Sequence, residues 1–100
     1  MYLNNALEAM YMKILDMRPQ VNYKASQEWP EFVLMENVLD EIENIILNKK
    51  MPLEWYAEMG IIINDFYEEL MFFKEDHRWL LMRINDATKL VKEAEKTASF

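Results

Sequence analysis

The sequence has 100 residues, of which 52% are hydrophobic and 29% are charged, and its net charge is −7. This length supports one domain with one modest core, and so large an apolar fraction excludes a disordered chain. One glycine and three prolines exclude a sheet-rich fold, which needs turn residues about every 8–12 positions. We therefore predict a single all-α domain over residues 1–100, a small bundle of about four helices.

The first helix is predicted over residues 3–17. Its apolar residues recur at steps of three and four, and they are Leu3, Leu7, Met10, Ile14 and Met17. Pro19 is expected to stop the helix, because the residue before a proline avoids the α conformation. Residues 20–28 show no periodicity and are predicted to form a loop. We expect Tyr23 and Trp29 to fold back over the bundle.

The second and third helices are each predicted to begin at a proline, which suits a first helical turn. The second starts near Pro30 and closes at residues 48–50, where two lysines complement the helix dipole. Pro52 opens the third, whose apolar residues spread over most of its circumference. Such a helix is either buried by several neighbours or partly offered to a partner. We expect it to continue across Gly60, kept for close approach of a neighbouring helix.

The fourth helix is predicted to begin after Asp76, which could cap it. Its buried face is predicted to comprise Leu80, Ile84, Ala87, Val91 and Ala94. Neither proline nor glycine separates Phe73 from Asp76, so a second architecture stays open. In that alternative the third and fourth helices form one long helix over residues 52–96. Its apolar seam would favour a homodimer.

Acidic residues are concentrated in the middle of the chain. Residues 25–73 contain eleven acids and two lysines. Like-signed pairs four residues apart, such as Glu36–Asp40 and Glu54–Glu58, weaken a helix slightly. A surface of one sign speeds encounter with a basic partner and argues against direct nucleic-acid binding. The simpler alternative is an ordinary solvated face.

Residues that support catalysis are scarce. There is no cysteine and one histidine, and His77 is expected to be an ordinary residue near a helix start. Ser26 and Ser99 stand in no recognisable triad context, and one glycine cannot build a phosphate-binding loop. We expect no enzyme, no cofactor and no metal. No apolar run approaches the ~18 residues of a membrane span and no secretory signal is evident, so we expect a soluble, cytoplasmic protein.

One enzyme class remains as a third alternative, the magnesium-dependent all-α nucleotide pyrophosphohydrolases. Their sites need acids converging from two helices, because magnesium prefers oxygen ligands in octahedral geometry. The candidate ligands here are Glu36, Asp40 and Glu41 on the second helix and Asp65, Glu68 and Glu69 on the third. The Glu-Glu-x-x-Glu signature of that class is absent, because Glu41 and Glu43 are out of step.

These features together predict a protein that acts by contact with another protein. Interface energy concentrates in tryptophan and tyrosine anchors, and 13% of the residues are aromatic. The predicted partner-binding residues are the aromatics Trp29, Trp55, Tyr56 and Tyr67 and the acids Glu36, Asp40, Glu41 and Glu43. We expect an accessory protein, of the kind phages and mobile elements encode, that inhibits or redirects a nucleic-acid-handling host protein. The alternative is a homo-oligomeric structural or assembly subunit.

Overall fold

The structure, a computed structural model, describes residues 5–72 and 77–96. Its described part contains four α-helices and no strand: α1 Asn5–Ser26, α2 Pro30–Asn48, α3 Leu53–Met71 and α4 His77–Glu95. The prediction of a small all-α bundle of four helices is confirmed. The predicted cap at Asp76 and the predicted helical residue Leu3 lie outside the described residues.

The four helices stand at the corners of a square. The helix α1 packs against α2 and α3, while α4 packs against the same two helices. Helices α2 and α3 therefore lie on one diagonal, and α1 and α4 lie on the other. The bundle therefore has one helix–helix contact along each side of the square.

The helix directions follow from contacts between neighbours. Arg18 of α1 binds Asp40 of α2, whereas Lys24, further along α1, lies over Phe32 near the start of α2. These two helices are therefore antiparallel. Lys13 of α1 donates to Asn64 of α3 at 2.8 Å. Gln20, further along α1, bonds to the Leu70 carbonyl, so α1 and α3 run parallel.

The alternative of one continuous helix over residues 52–96 is wrong. The indole Nε1 of Trp55 in α3 donates to the carbonyl oxygen of Leu90 in α4 at 2.8 Å, across 35 positions of sequence. In an unbroken helix those positions would be about 50 Å apart. The chain therefore turns back after α3, and α4 packs alongside it in the opposite direction.

The predictions that Pro19 stops the first helix and that residues 20–28 form a loop are wrong. The helix α1 contains Pro19 and runs on to Ser26. Its buried stripe continues past the proline, as Met10, Ile14, Met17, Val21 and Ala25. Burying Val21 stabilises the helix by roughly 2 kcal/mol, comparable with the ~3 kcal/mol that an interior proline costs. Pro19 lies on the exposed side of the helix, where water can satisfy the carbonyl that loses its partner.

One hydrophobic core joins all four helices. Every residue of the predicted buried face of α4 is buried. The helix α3 combines both predicted arrangements. It buries Trp55, Met59, Ile62, Ile63, Phe66 and Leu70. It leaves Leu53 and Ile61 exposed on its outer side.

Gly60 lies inside α3, which is continuous across it as predicted. The expected close approach of a neighbouring helix within the chain is wrong. A Cβ built at Gly60 has the Sδ of Met10 as its nearest neighbour, at 4.0 Å. That distance is an ordinary contact, so packing within the protomer does not require a glycine here.

Replacing Gly60 with alanine is expected to raise the free energy of unfolding by about 0.5–1 kcal/mol, because alanine favours the helix and its methyl group fits. Urea denaturation followed by circular dichroism measures this. The matched control is Ala57→Gly, the reverse change one turn earlier on the same exposed side, which should lower stability by a similar amount. A Gly60→Ala protein less stable than the wild type would contradict the described packing.

The turn between α1 and α2 contains a strained residue. Glu28 has φ 65°, the left-handed conformation that costs an L-residue roughly 1 kcal/mol. Its backbone N–H donates to the Ala25 carbonyl at 2.9 Å and closes the end of α1. The end of α1 on one side and the start of α2 on the other therefore keep Glu28 in this strained conformation.

Glu28→Gly is expected to stabilise the protein by about 0.5–1 kcal/mol, because glycine adopts this conformation without steric cost. Thermal melting of the variant beside Glu28→Ala separates the effect of backbone strain from that of the lost charge. The alanine variant retains the strain and should melt close to the wild type. Equal gains in both variants would show that charge, not φ, is responsible.

Candidate interaction surfaces

Trp55 is not a surface anchor, and this part of the prediction is corrected. Its side chain is only 4% exposed, and its indole N–H is bonded to Leu90 inside the core. The ring of Tyr56 meets it edge-on, with the centroids 5.4 Å apart. Trp55 therefore joins α3 to α4, and its contact energy is used within the protomer.

The two predicted tyrosine anchors are half-buried. The hydroxyl of Tyr56 accepts from the backbone N–H of Met51 at 3.1 Å and lies 3.4 Å from the Lys49 carbonyl. It thereby fixes the connection between α2 and α3. The ring of Tyr67 packs against the core, and the ammonium group of Lys13 lies 6.0 Å from its centroid. Both side chains already have structural partners.

Trp29 is the predicted aromatic anchor that the structure places at the surface. Its side chain is 48% exposed at the start of α2, and nearby Tyr23 is 62% exposed. The expectation that the ring folds back over the bundle is therefore wrong for Tyr23, whereas about half of the Trp29 surface is covered. The reason is the length of α1, which holds Tyr23 on its outer side.

The predicted steering acids of α2 are partly neutralised by Arg18 of α1. The guanidinium group binds the carboxylate of Asp40, and its Nε lies 3.4 Å from Oε1 of Glu43. It also donates to the backbone carbonyl of Glu36 at 3.2 Å. Asp40 and Glu43 are therefore structural ion-pair partners. Glu41 is exposed and remains a predicted contact residue.

A second arginine binds acids of α3 and α4. Arg83 binds Asp65 at 2.6 Å and Asp86 at 2.9 Å. Asp40 on α2 and Asp65 on α3 are thus each paired with an arginine from a neighbouring helix. Two of the acids on α3, Glu54 and Glu58, are exposed and have no ion-pair partner among the described residues.

The magnesium site of the third alternative does not form. Its two acidic groups lie on α2 and α3, which occupy opposite corners of the bundle and so cannot converge on one ion. Within residues 5–72 and 77–96, no group of three or more acids, histidines or cysteines is placed to hold a metal ion. The described helices also include none that is long and apolar enough to cross a membrane.

The outer face of α1 is an apolar stripe edged with acids. It comprises Met12, Leu15, Pro19 and Tyr23, with Glu8 and Asp16 beside them, and all six are exposed. Their spacing of three and four residues places them on one side of the helix. Neither acid has a hydrogen bond or an ion pair among the described residues. The basic residues of α1 point elsewhere, because Lys13 contacts α3 and Arg18 contacts α2.

The groove between α1 and α3 is a second candidate surface, with a volume of about 840 Å³. It is lined by Ala6, Leu7, Met10, Lys50, Met51, Leu53, Tyr56, Ala57, Gly60, Ile61 and Asn64. Small residues from both helices form its floor. Leu53, 79% exposed, and Ile61, 61% exposed, form its apolar rim. Lys50 is exposed and has no hydrogen bond or ion pair among the described residues.

Neither surface was predicted from the sequence. The interpretation of Pro19 as a stop removed residues 18–26 from α1, and with them Pro19 and Tyr23 of the stripe. The groove depends on α1 and α3 being neighbours, which periodicity cannot show. One signal was present, because Ala57 and Gly60 lie three residues apart and leave a shallow strip on an otherwise bulky helix.

Comparisons of the chain with protein-family models, with curated proteins and with solved structures found no match.

Trp55→Phe is expected to lower the free energy of unfolding by roughly 2–3 kcal/mol, through the lost hydrogen bond to Leu90 and the space left in the core. Urea denaturation gives the value. The control Trp29→Phe, at the surface, should change stability by less than about 0.5 kcal/mol. Equal effects at the two positions would contradict the assignment of Trp55 to the core.

Proposed function

We propose that the protein acts without catalysis, by binding another protein that presents a basic surface. The contact surface is the outer face of α1 together with Trp29 at its end. The observation that supports this most is that one side of α1 combines exposed apolar groups with acids that have no hydrogen bond or ion pair within the described part of the chain. The sequence predicts an acidic, aromatic interaction face on α2 and α3, and we propose a face of the same character on α1 instead.

The energy of the contact would come from its aromatic side chains. Tyr23 and Trp29 are large and exposed, and such residues dominate measured interface energies. From Met12 to Tyr23 the face is about 16 Å long, enough to span a groove or ridge on a partner. Met12 and Leu15 add adaptable apolar area, since methionine fits irregular surfaces.

The charge supports a basic partner. The net charge is −7, Glu8 and Asp16 are exposed beside the apolar stripe, and Glu28 is exposed in the turn that follows α1. A one-signed field increases the rate of encounter with an opposite charge. Surfaces that bind nucleic acid are basic. The proposed partner is therefore a nucleic-acid-handling protein, which this protein inhibits or redirects, as accessory proteins of phages and mobile elements do.

A second candidate function is a homo-oligomeric structural or assembly subunit. The groove between α1 and α3 favours it, because the exposed Leu53 and Ile61 are unused by the partner contact proposed for α1. The two functions are compatible, since the surfaces lie on different sides of α1.

Capture experiments test the proposed function. The immobilised protein is expected to retain basic proteins from a host-cell lysate at about 50 mM salt and release them near 500 mM, as screening weakens the attraction. Once a retained protein is purified, Trp29→Ala and Tyr23→Ala are each expected to weaken its binding at least about tenfold. Isothermal titration calorimetry measures the dissociation constants.

Two controls sharpen this test. Met82 is exposed on α4, diagonal to α1, and Met82→Ala should leave binding unchanged. Neutralising Glu8 and Asp16 with glutamine and asparagine should slow association and reduce the salt dependence, whereas Glu95→Gln at the far end of α4 should not. If the partner is retained equally at low and high salt and binds all variants equally, the proposed surface is ruled out.

A further inference from the structure

The groove between α1 and α3 contains features that folding of one chain does not explain. Leu53 and Ile61 expose most of their apolar area to water at its rim. Gly60 is retained in a helix although a methyl group would find only ordinary contact there. Both observations are expected of a surface that another helix approaches closely, where glycine allows backbones to come together.

We propose that the occupant of this groove is α3 of a second copy of the same chain, packed antiparallel about a two-fold axis at the level of Met59. The face of α3 beside the groove contains both a ridge and a hollow. Leu53 and Ile61 project from it, and Ala57 and Gly60 leave space between them. A two-fold axis would place each ridge in the hollow of the other copy, which is the self-complementarity that an isologous interface requires.

Charge complementarity selects the antiparallel direction. In the register that puts Ile61 beside Ala57 of the second copy, Glu68 lies just beyond the start of the second copy's α3, at the end of the groove that Lys50 lines. Glu54 comes level with Asn64, whose amide donates one N–H to Glu68 in the protomer at 3.2 Å and has a second N–H for Glu54. A parallel pairing would instead align each acid of α3 with its own copy, and like charges at such distances repel. Lys50, which has no ion pair among the described residues, gains an ionic partner in the antiparallel arrangement.

The size of the surface determines how stable the dimer is. From Leu53 to Asn64 the groove follows α3 for about 16 Å, or about three helical turns. A contact of this length buries less surface than the roughly 2,000 Å² or more of an obligate dimer interface. Its apolar part is contributed by few side chains. The dimer is therefore a weak one, with a dissociation constant on the order of 10 µM.

Sedimentation velocity of the wild-type protein between about 1 µM and 1 mM is the test, since this range brackets the expected constant. The expected result is a monomer at the lowest concentration and a dimer at the highest. Ile61→Asp is expected to weaken self-association at least about tenfold. The matched control is Met82→Asp, at a position 63% exposed on α4, which should dimerise like the wild type.

A charge exchange tests the direction of packing. Lys50→Glu and Glu68→Lys are each expected to weaken the dimer by about three- to fivefold, and the double variant is expected to recover most of the loss. Gly60→Ala should weaken dimerisation while it raises the melting temperature of the monomer. Circular dichroism of each variant confirms that the helices are retained.

A protein that stays monomeric at 1 mM would overturn the proposal, as would a dimer unaffected by Ile61→Asp. If the double variant dimerises no better than the single charge variants, the antiparallel register is wrong. The test is independent of the partner proposed for α1, because Trp29 and Tyr23 lie outside this groove. Their alanine variants should dimerise normally.

Discussion

The continuous burial of one side of α1, from Met10 to Ala25, is the constraint on which the rest of the structure depends. Because that stripe extends past Pro19, α1 spans the full height of the bundle. It can then pack along α2 on one side and along α3 on the other. Met12, Leu15 and Tyr23 lie on the opposite side of α1 and are therefore exposed. A core requirement thereby creates the surface proposed for partner binding.

Arginines divide the acidic residues into two groups. Arg18 and Arg83 each approach acids from a neighbouring helix, which reduces the like-charge repulsion around Asp40 on α2 and Asp65 on α3. These bridges are partly exposed, so each contributes at most about 1 kcal/mol. Glu8, Asp16 and Glu41 have no such partner in residues 5–72 and 77–96 and remain available to a second molecule. Because the two arginines neutralise part of the acidic charge, no single face of the bundle is as negative as the net charge of −7 suggests.

Composition and periodicity predicted the all-α class, the start of α2 and the buried face of α4, because each depends on local pattern. The burial of Trp55 was not predictable, since residue spacing places a side chain on one face of a helix without saying which face meets the core. Pro19 was misread because local backbone preference was weighed without the tertiary contacts of Val21 and Ala25. Which helices are neighbours is a property of the whole chain, and both candidate surfaces follow from it.

The square arrangement also separates the two proposed contacts. Parallel α1 and α3 leave a groove between their first halves, where small residues meet, and the outer side of α1 is turned away from it. A dimer formed through α3 would therefore present two copies of the α1 face to partners. Paired copies bind a repeated or symmetric target more tightly than one copy does.

The most direct test of the account is whether α1 remains helical beyond Pro19. Backbone NMR assignment gives Cα chemical shifts for residues 20–26, and hydrogen exchange gives their protection. The account predicts helical shifts through Ser26 and slow exchange of the Val21 and Ala25 amides. Random-coil shifts with fast exchange after Pro19 would contradict the fold, and the face proposed for partner binding would not exist.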